Sequence, residues 1–121
     1  MPFQHFSIVP DERFIVLQLQ DANMNSDACD EMHVLIKEEL KAAFRPVILD
    51  MRRAKFLPSL AIGALISIKR KLDESGSPLT LVGLSSNIRM ALEVSHLEKL
   101  FHIVNTLEDA VLVAGGCAAA H

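Results

Sequence analysis

The stretch VILDMRRAKFLPSLAIGAL, residues 47–65, carries the signals that decide the fold. Val47-Ile48-Leu49 is a short β-branched and apolar run that ends in Asp50, as expected of a central strand covered on both faces. A polar loop follows, and an apolar helical run begins after Pro58. A buried strand that leads through a loop into a helix predicts a parallel sheet with helices packed on it.

The residues before this stretch extend the alternation of strands and helices. Phe6–Val9 and Phe14–Leu19 are β-rich runs on either side of Pro10-Asp11-Glu12, which is good turn chemistry and predicts an antiparallel hairpin. A helix is expected from about Ser26, and Arg45-Pro46 stops it.

The residues after the stretch 47–65 continue the pattern of a strand followed by a helix twice more. The predicted elements are a second helix to about Glu74, a strand over Leu79–Leu84, a third helix capped at Ser85-Ser86-Asn87 and reaching Leu100, a strand over Phe101–Val104, and a last helix capped by Thr106. The order ββαβαβαβα predicts a single α/β domain over residues 1–121, in which residues 115–121 form a frayed tail. Its mostly parallel sheet has an antiparallel hairpin strand at the edge and about four helices.

Composition narrows the classes of function. Hydrophobic residues make up 50% of the 121 residues and charged ones 22%, which is typical of a folded globular domain. A net charge of −3 gives no global attraction to nucleic acid or to anionic lipid, and the apolar runs are too short to span a bilayer. No signal peptide is recognisable, so a cytoplasmic protein is expected. Cys29 and Cys117 form no CxxC pair and are expected to be free thiols.

Three candidate sites have plain structural explanations. Asp50 at the end of a central strand lies where α/β folds bind ligands, but pairing with Arg52 or Arg53 to order the loop is the favoured interpretation. Cys29 and His33 lie four residues apart on a helix, yet two ligands do not make a metal site. The cluster Lys69-Arg70-Lys71 late in a helix complements the helix dipole and is expected to stay solvated.

Ser59 at the start of the second helix allows two interpretations. As an N-cap, its hydroxyl would accept a hydrogen bond from the first helical turn, and its loss would cost about 1 kcal/mol. As a modification site, it lies where a phosphate is tolerated, because a helix N-terminus presents free N–H donors and a positive dipole end.

From Val47 onward the chain resembles the STAS domain, the family of bacterial anti-sigma factor antagonists. The segments Leu49-Asp50, Gly63-Ala64-Leu65, Leu81-Val82-Gly83-Leu84, Leu97 with Leu100-Phe101, and Glu108-Asp109-Ala110 fall into register with the family pattern. Where the family has Asp-Ser-Ser-Gly, this chain has Pro58-Ser59-Leu60-Ala61, so the acceptor serine matches and its neighbours do not.

The resemblance implies a non-enzymatic partner switch without cofactor or metal. Such domains bind an anti-sigma factor that is also a serine kinase, are released when phosphorylated, and are reset by a phosphatase; the serine in register is Ser59. The implied partner-binding residues are Asp21, Asn23, Asn25, Asp50, Pro58, Ser59, Leu60, Ser85 and Ser86. Two alternatives stay open: a scaffold subunit of a signalling assembly without phosphorylation, and a small-ligand sensor that uses a pocket near Asp50.

Overall fold

The computed structural model describes residues 5–9, 13–42 and 45–112. The strands are β1 (Phe6–Val9), β2 (Ile15–Leu19), β3 (Val47–Asp50), β4 (Leu79–Val82) and β5 (His102–Val104). The helices are α1 (Ser26–Ala42), α2 (Ser59–Ser75), α3 (Ser86–Val94), a 3₁₀ turn at Glu98–Leu100 and a helical segment at residues 107–112. The predicted element order is confirmed. The predicted turn at Pro10-Asp11-Glu12, the helix stop before Arg45 and the tail at 115–121 lie wholly or partly outside the described residues.

One five-stranded sheet, in the order β1-β2-β3-β4-β5, organises the domain. β1 pairs antiparallel with β2, whereas β2–β3, β3–β4 and β4–β5 are parallel. The parallel strands follow one another in sequence order, so each right-handed crossover returns its helix to the same face. That face carries α1, α2 and α3.

Alternating side chains of the strands define two cores. Ile15, Leu17 and Leu19 of β2 belong to the larger core under the three helices, while Val16 points to the opposite face. The smaller core joins Val16 to the strands beside it and to the segment 107–112 through Ala110. Both faces of the central strands are therefore covered, as the apolar run of β3 predicts.

The third helix is shorter than its sequence predicts. α3 ends at Val94, because His96 adopts a positive φ of 58° and Leu97 N donates back to Leu92 O at 2.8 Å. Leu100 therefore lies in the separate 3₁₀ turn and is partly exposed. A stop without glycine or proline leaves little signal in the sequence.

The predicted cap of the last helix is confirmed, since Asp109 N donates to Thr106 Oγ1 at 3.1 Å. Across the described residues, no helix is long and apolar enough to cross a membrane.

Candidate functional site

The loops that follow β2 and β3 form one surface at the carboxyl edge of the sheet. Lys55 N and Phe56 N both donate to Ala22 O, at 2.7 and 3.1 Å, and Asn23 pairs with Phe56 in an isolated parallel bridge. These bonds hold the loop 21–25 against the segment that leads into α2. The sequence-predicted loop and Ser59 are therefore parts of one region of the molecule.

Ser59 is the first helical residue of α2 and is exposed. The predicted N-cap role of Ser59 is wrong: Pro58 is the N-cap, with φ −62° and ψ 158°, and no side chain caps the helix. The reason is local: Pro58 is extended and Ser59 is already helical, so the helix begins one residue earlier than it would if Ser59 were the N-cap. The Ser59 hydroxyl is consequently not needed as a cap and is open to solvent.

The first turn of α2 suits an anionic group on Ser59. Ile62 N donates to Pro58 O at 3.1 Å, so the N–H groups of residues 59–61 precede the hydrogen-bonded ladder of the helix. The first turn contains no acidic residue. A phosphate on Ser59 would meet the positive end of the helix dipole and no negative charge within that turn, with the carboxylate of Asp30 as the opposing charge across the cleft on α1.

Two large apolar side chains flank Ser59. Phe56 and Leu60 are each 60% exposed, although both are attached to well-ordered backbone. Exposed aromatic and aliphatic side chains beside a polar rim are typical of protein–protein interfaces. Sequence reasoning found Leu60 but missed Phe56, whose signal was an isolated aromatic residue in the polar loop before Pro58.

Asp50 has the predicted loop-ordering role. The side chain of Arg52 reaches both carboxylate oxygens, with Nη2 to Oδ2 at 2.6 Å and Nε to Oδ1 at 2.9 Å, and Gln18 Nε2 adds a longer contact of 3.4 Å. These hydrogen bonds raise the pKa of the Arg52 guanidinium. Because Asp50 is only 4% exposed, it lies beneath Arg52, and the group presented at this point of the surface is the arginine.

Gly83 makes room for this pair. A Cβ at Gly83 would lie 2.2 Å from Arg52 Cγ, and the residue has a positive φ of 68°. Glycine is the residue that meets both requirements. Arg53, the other candidate partner of Asp50, instead donates to Gln20 Oε1 at 3.0 Å.

The remaining predicted contact residues divide into two groups. Asn25 Oδ1 accepts from Ala28 N at 2.9 Å and Ser85 Oγ accepts from Ile88 N at 3.3 Å, so both side chains cap helices. Asp21 binds the ring of His5, and this contact raises the pKa of the histidine. Asn23, Ser59, Leu60 and Ser86 are exposed, as is the capping residue Asn25, and Pro58 is half-buried.

Cys29 and His33 face Ser59 across a cleft between α1 and α2. The cleft has a volume of about 420 Å³ and is lined by Ser26, Cys29, Asp30, His33, Ser59, Leu60, Gly63 and Ala64. Burial, followed by the charge of Asp30, raises the pKa of the Cys29 thiol, which keeps it protonated. Burial also lowers the pKa of His33. In the part of the chain that the structure describes, no three His, Cys, Asp or Glu side chains are grouped for a metal ion.

A polar pocket of about 390 Å³ lies beside Asp50, on the β1 side of the strand ends. Its lining includes Gln18, Gln20, Arg52 and Arg53. The predicted ligand pocket near Asp50 therefore exists as a space, with Asp50 itself occupied by Arg52.

Comparison with known families explains this arrangement. The family model of the STAS domain matches residues 8–110, which include β2 to β5, the second half of β1 and Ser59. This chain belongs to the STAS domain family. The resemblance seen in the sequence is thus confirmed, together with the α/β fold that it implied.

Solved structures of STAS proteins share the fold. An anti-sigma factor antagonist from Mycobacterium paratuberculosis superposes with a TM-score of 0.75 at 16% identity, covering 90% of this chain and 92% of that one. The phosphorylated form of the Bacillus cell fate determinant SpoIIAA gives 0.69 at 19% identity, covering 88% and 96%. The murine anion transporter Slc26a9 gives 0.67 at 18% identity over 85% of this chain and only 18% of the transporter. No catalytic family is indicated, and the same fold occurs both as a small protein and within a larger one.

Proposed function

We propose that this chain is an anti-sigma factor antagonist whose binding to a kinase-type anti-sigma factor in the cytoplasm is switched off by phosphorylation of Ser59. The observation that carries the proposal is the exposed Ser59 hydroxyl between two exposed apolar side chains, Phe56 and Leu60. The docking face is defined here as Asn23, Phe56, Ser59 and Leu60.

The switch follows from desolvation. When a partner covers Phe56 and Leu60, the unmodified Ser59 hydroxyl is buried at little cost, because a hydroxyl needs only one or two hydrogen bonds. A phosphate adds a charge of about −1.5 to −2, which loses its hydration if the same partner closes over it. The free protein bears this charge more easily, since the start of α2 is exposed and has no acid in its first turn.

The test begins with phosphate transfer. The chain is incubated with ATP and a kinase-type anti-sigma factor from the same genome, and the phosphorylated residue is located by mass spectrometry. The proposal predicts phosphate on Ser59 and none on the Ser59→Ala variant. Ser86→Ala is the matched control, because Ser86 is also an exposed first residue of a helix. Phosphate that remains on the Ser59→Ala variant, or none on the native chain, would contradict the proposal.

A scaffold role without phosphorylation is the second candidate. It is favoured by the departures at Pro58, Leu60 and Ala61 and by the presence of this fold within a large transporter. The Ser59→Asp variant distinguishes the two candidates. A phosphorylation switch predicts that this variant no longer binds its partner, whereas a scaffold predicts unchanged affinity.

A further inference from the structure

A second cavity lies further along the same α1–α2 cleft, away from the docking face. Its volume is about 490 Å³, within the range of small-molecule sites. The wall is apolar and includes Ile36, Leu40, Ile68 and Leu72. His33 lines both this cavity and the cleft beside Ser59, so the two spaces adjoin, and together they are called the groove here.

Positive charge is concentrated at one end of this groove. Lys37, Lys41 and Lys71 line the second cavity, and none of the described residues that line it is a carboxylate. Lys71 lines the cavity from α2, and its charge adds to burial in lowering the pKa of His33. Lys41 has a partner in Glu38 at 3.2 Å, but both side chains are largely exposed and such pairs are weak.

The other end of the groove has the opposite character. Gly63 and Ala64 leave the α2 side open, and a Cβ added to Gly63 would meet no atom within 4 Å. The carboxylate of Asp30 lines this end and would repel an anion there. The groove therefore has a basic end and an end of mostly small and apolar side chains beside one carboxylate, and this asymmetry defines an orientation for a ligand with an anionic head and an apolar tail.

We propose that the α1–α2 groove binds one molecule of a free long-chain fatty acid. The carboxylate lies between Lys37 and Lys71, and the acyl chain follows the apolar wall past His33 toward Gly63. Because Ser59 lines the end that receives the acyl chain, the site belongs to the unphosphorylated chain. A small ligand fits better than a partner helix, because the charge is confined to one end and the volume is that of a small-molecule pocket.

The head-group contact is tested by titrating the protein with oleate below its critical micelle concentration, using isothermal titration calorimetry and native mass spectrometry. A one-to-one complex is expected. The double variant Lys37→Gln/Lys71→Gln should weaken binding about tenfold, since two charge contacts at a partly exposed site are lost. Arg70→Gln is the matched control, because Arg70 is an exposed cation beside Lys71 that does not line the cavity; its affinity should equal that of the native chain.

The contact with the acyl chain is tested by a larger side chain at Gly63. Gly63→Leu should weaken oleate binding several-fold while leaving decanoate, whose chain is shorter, unaffected. Methyl oleate, which lacks the charge, should bind native protein no better than oleate binds the double lysine variant.

Three results would overturn the fatty-acid site. The first is the absence of a complex with monomeric oleate. The second is an equal effect of the Arg70 and the double lysine substitutions. The third is binding only to anionic phospholipid vesicles or to an acidic amphipathic peptide, which would assign the groove to another occupant.

Discussion

At the scale of single residues, Ser59 and Ser85 differ although both stand at the start of a helix. Ser85 Oγ accepts a hydrogen bond from Ile88 N, whereas Ser59 makes no capping bond. Ser85→Ala should therefore lower the free energy of unfolding by about 1 kcal/mol, and Ser59→Ala by less than about 0.5 kcal/mol. Urea denaturation measures both, and a loss at Ser59 as large as that at Ser85 would restore the capping role that the sequence predicted.

Gly83 provides the second prediction at this scale. Gly83→Ala introduces both backbone strain and a clash with Arg52, whereas Gly76→Ala has a similar φ of 76° but open space around the new Cβ. Gly76→Ala should cost about 1 kcal/mol, and Gly83→Ala clearly more. In an Arg52→Ala background the two costs should become similar. Equal costs in the native background, measured by thermal or urea unfolding, would show that Arg52 moves aside freely.

At the scale of elements, the loop after β2 is tied to the residue before β1. The hydrogen bond to Asp21 is the main cause of the raised pKa of His5. A histidine with a raised folded-state pKa adds stability that is full below its unfolded pKa of about 6.5 and is lost as the pH rises through the folded pKa. Asp21→Asn should lower the pKa of His5 in an NMR titration and leave that of His33 unchanged. An unchanged pKa of His5 in the Asp21→Asn variant would show that a different contact raises it.

The start of α2 yields a prediction about binding. Phe56→Ala and Leu60→Ala remove exposed side chains, so the free energy of unfolding should change little, while anti-sigma factor binding should weaken by at least about 1 kcal/mol for each. Val94→Ala, at a position that is 75% exposed on α3, is the control and should leave binding unchanged. Surface plasmon resonance measures the three affinities. A larger loss of affinity in the Val94→Ala variant would indicate that the docking face lies on α3.

The elements also show what the sequence could reveal. The β-rich runs before Leu19 and the apolar run of β3 predicted the strands and the mostly parallel order, because burial imposes these patterns directly. The end of α3 was missed, since His96 enters a left-handed conformation without a glycine. The start of α2 after Pro58 was predicted, but its N-cap is Pro58 and not Ser59, since proline can precede or begin a helix.

At the scale of the whole molecule, the docking face and the groove depend on contacts between distant segments. Phe56 joins the docking face through hydrogen bonds to Ala22, which lies more than thirty residues earlier in the chain. Lys37 and Lys71 meet across the groove only because α1 and α2 pack side by side. Local patterns contain no information on such pairs, whereas the family resemblance did indicate Ser59 and its neighbours.

The central claim concerns the whole molecule as a switch, and one measurement tests it most directly. The chain phosphorylated on Ser59 and the unmodified chain are compared for their affinity for the kinase-type anti-sigma factor. The desolvation of a buried phosphate predicts a dissociation constant at least about tenfold higher for the phosphorylated chain, a difference of about 1.4 kcal/mol or more. Equal dissociation constants for the two forms would contradict the account.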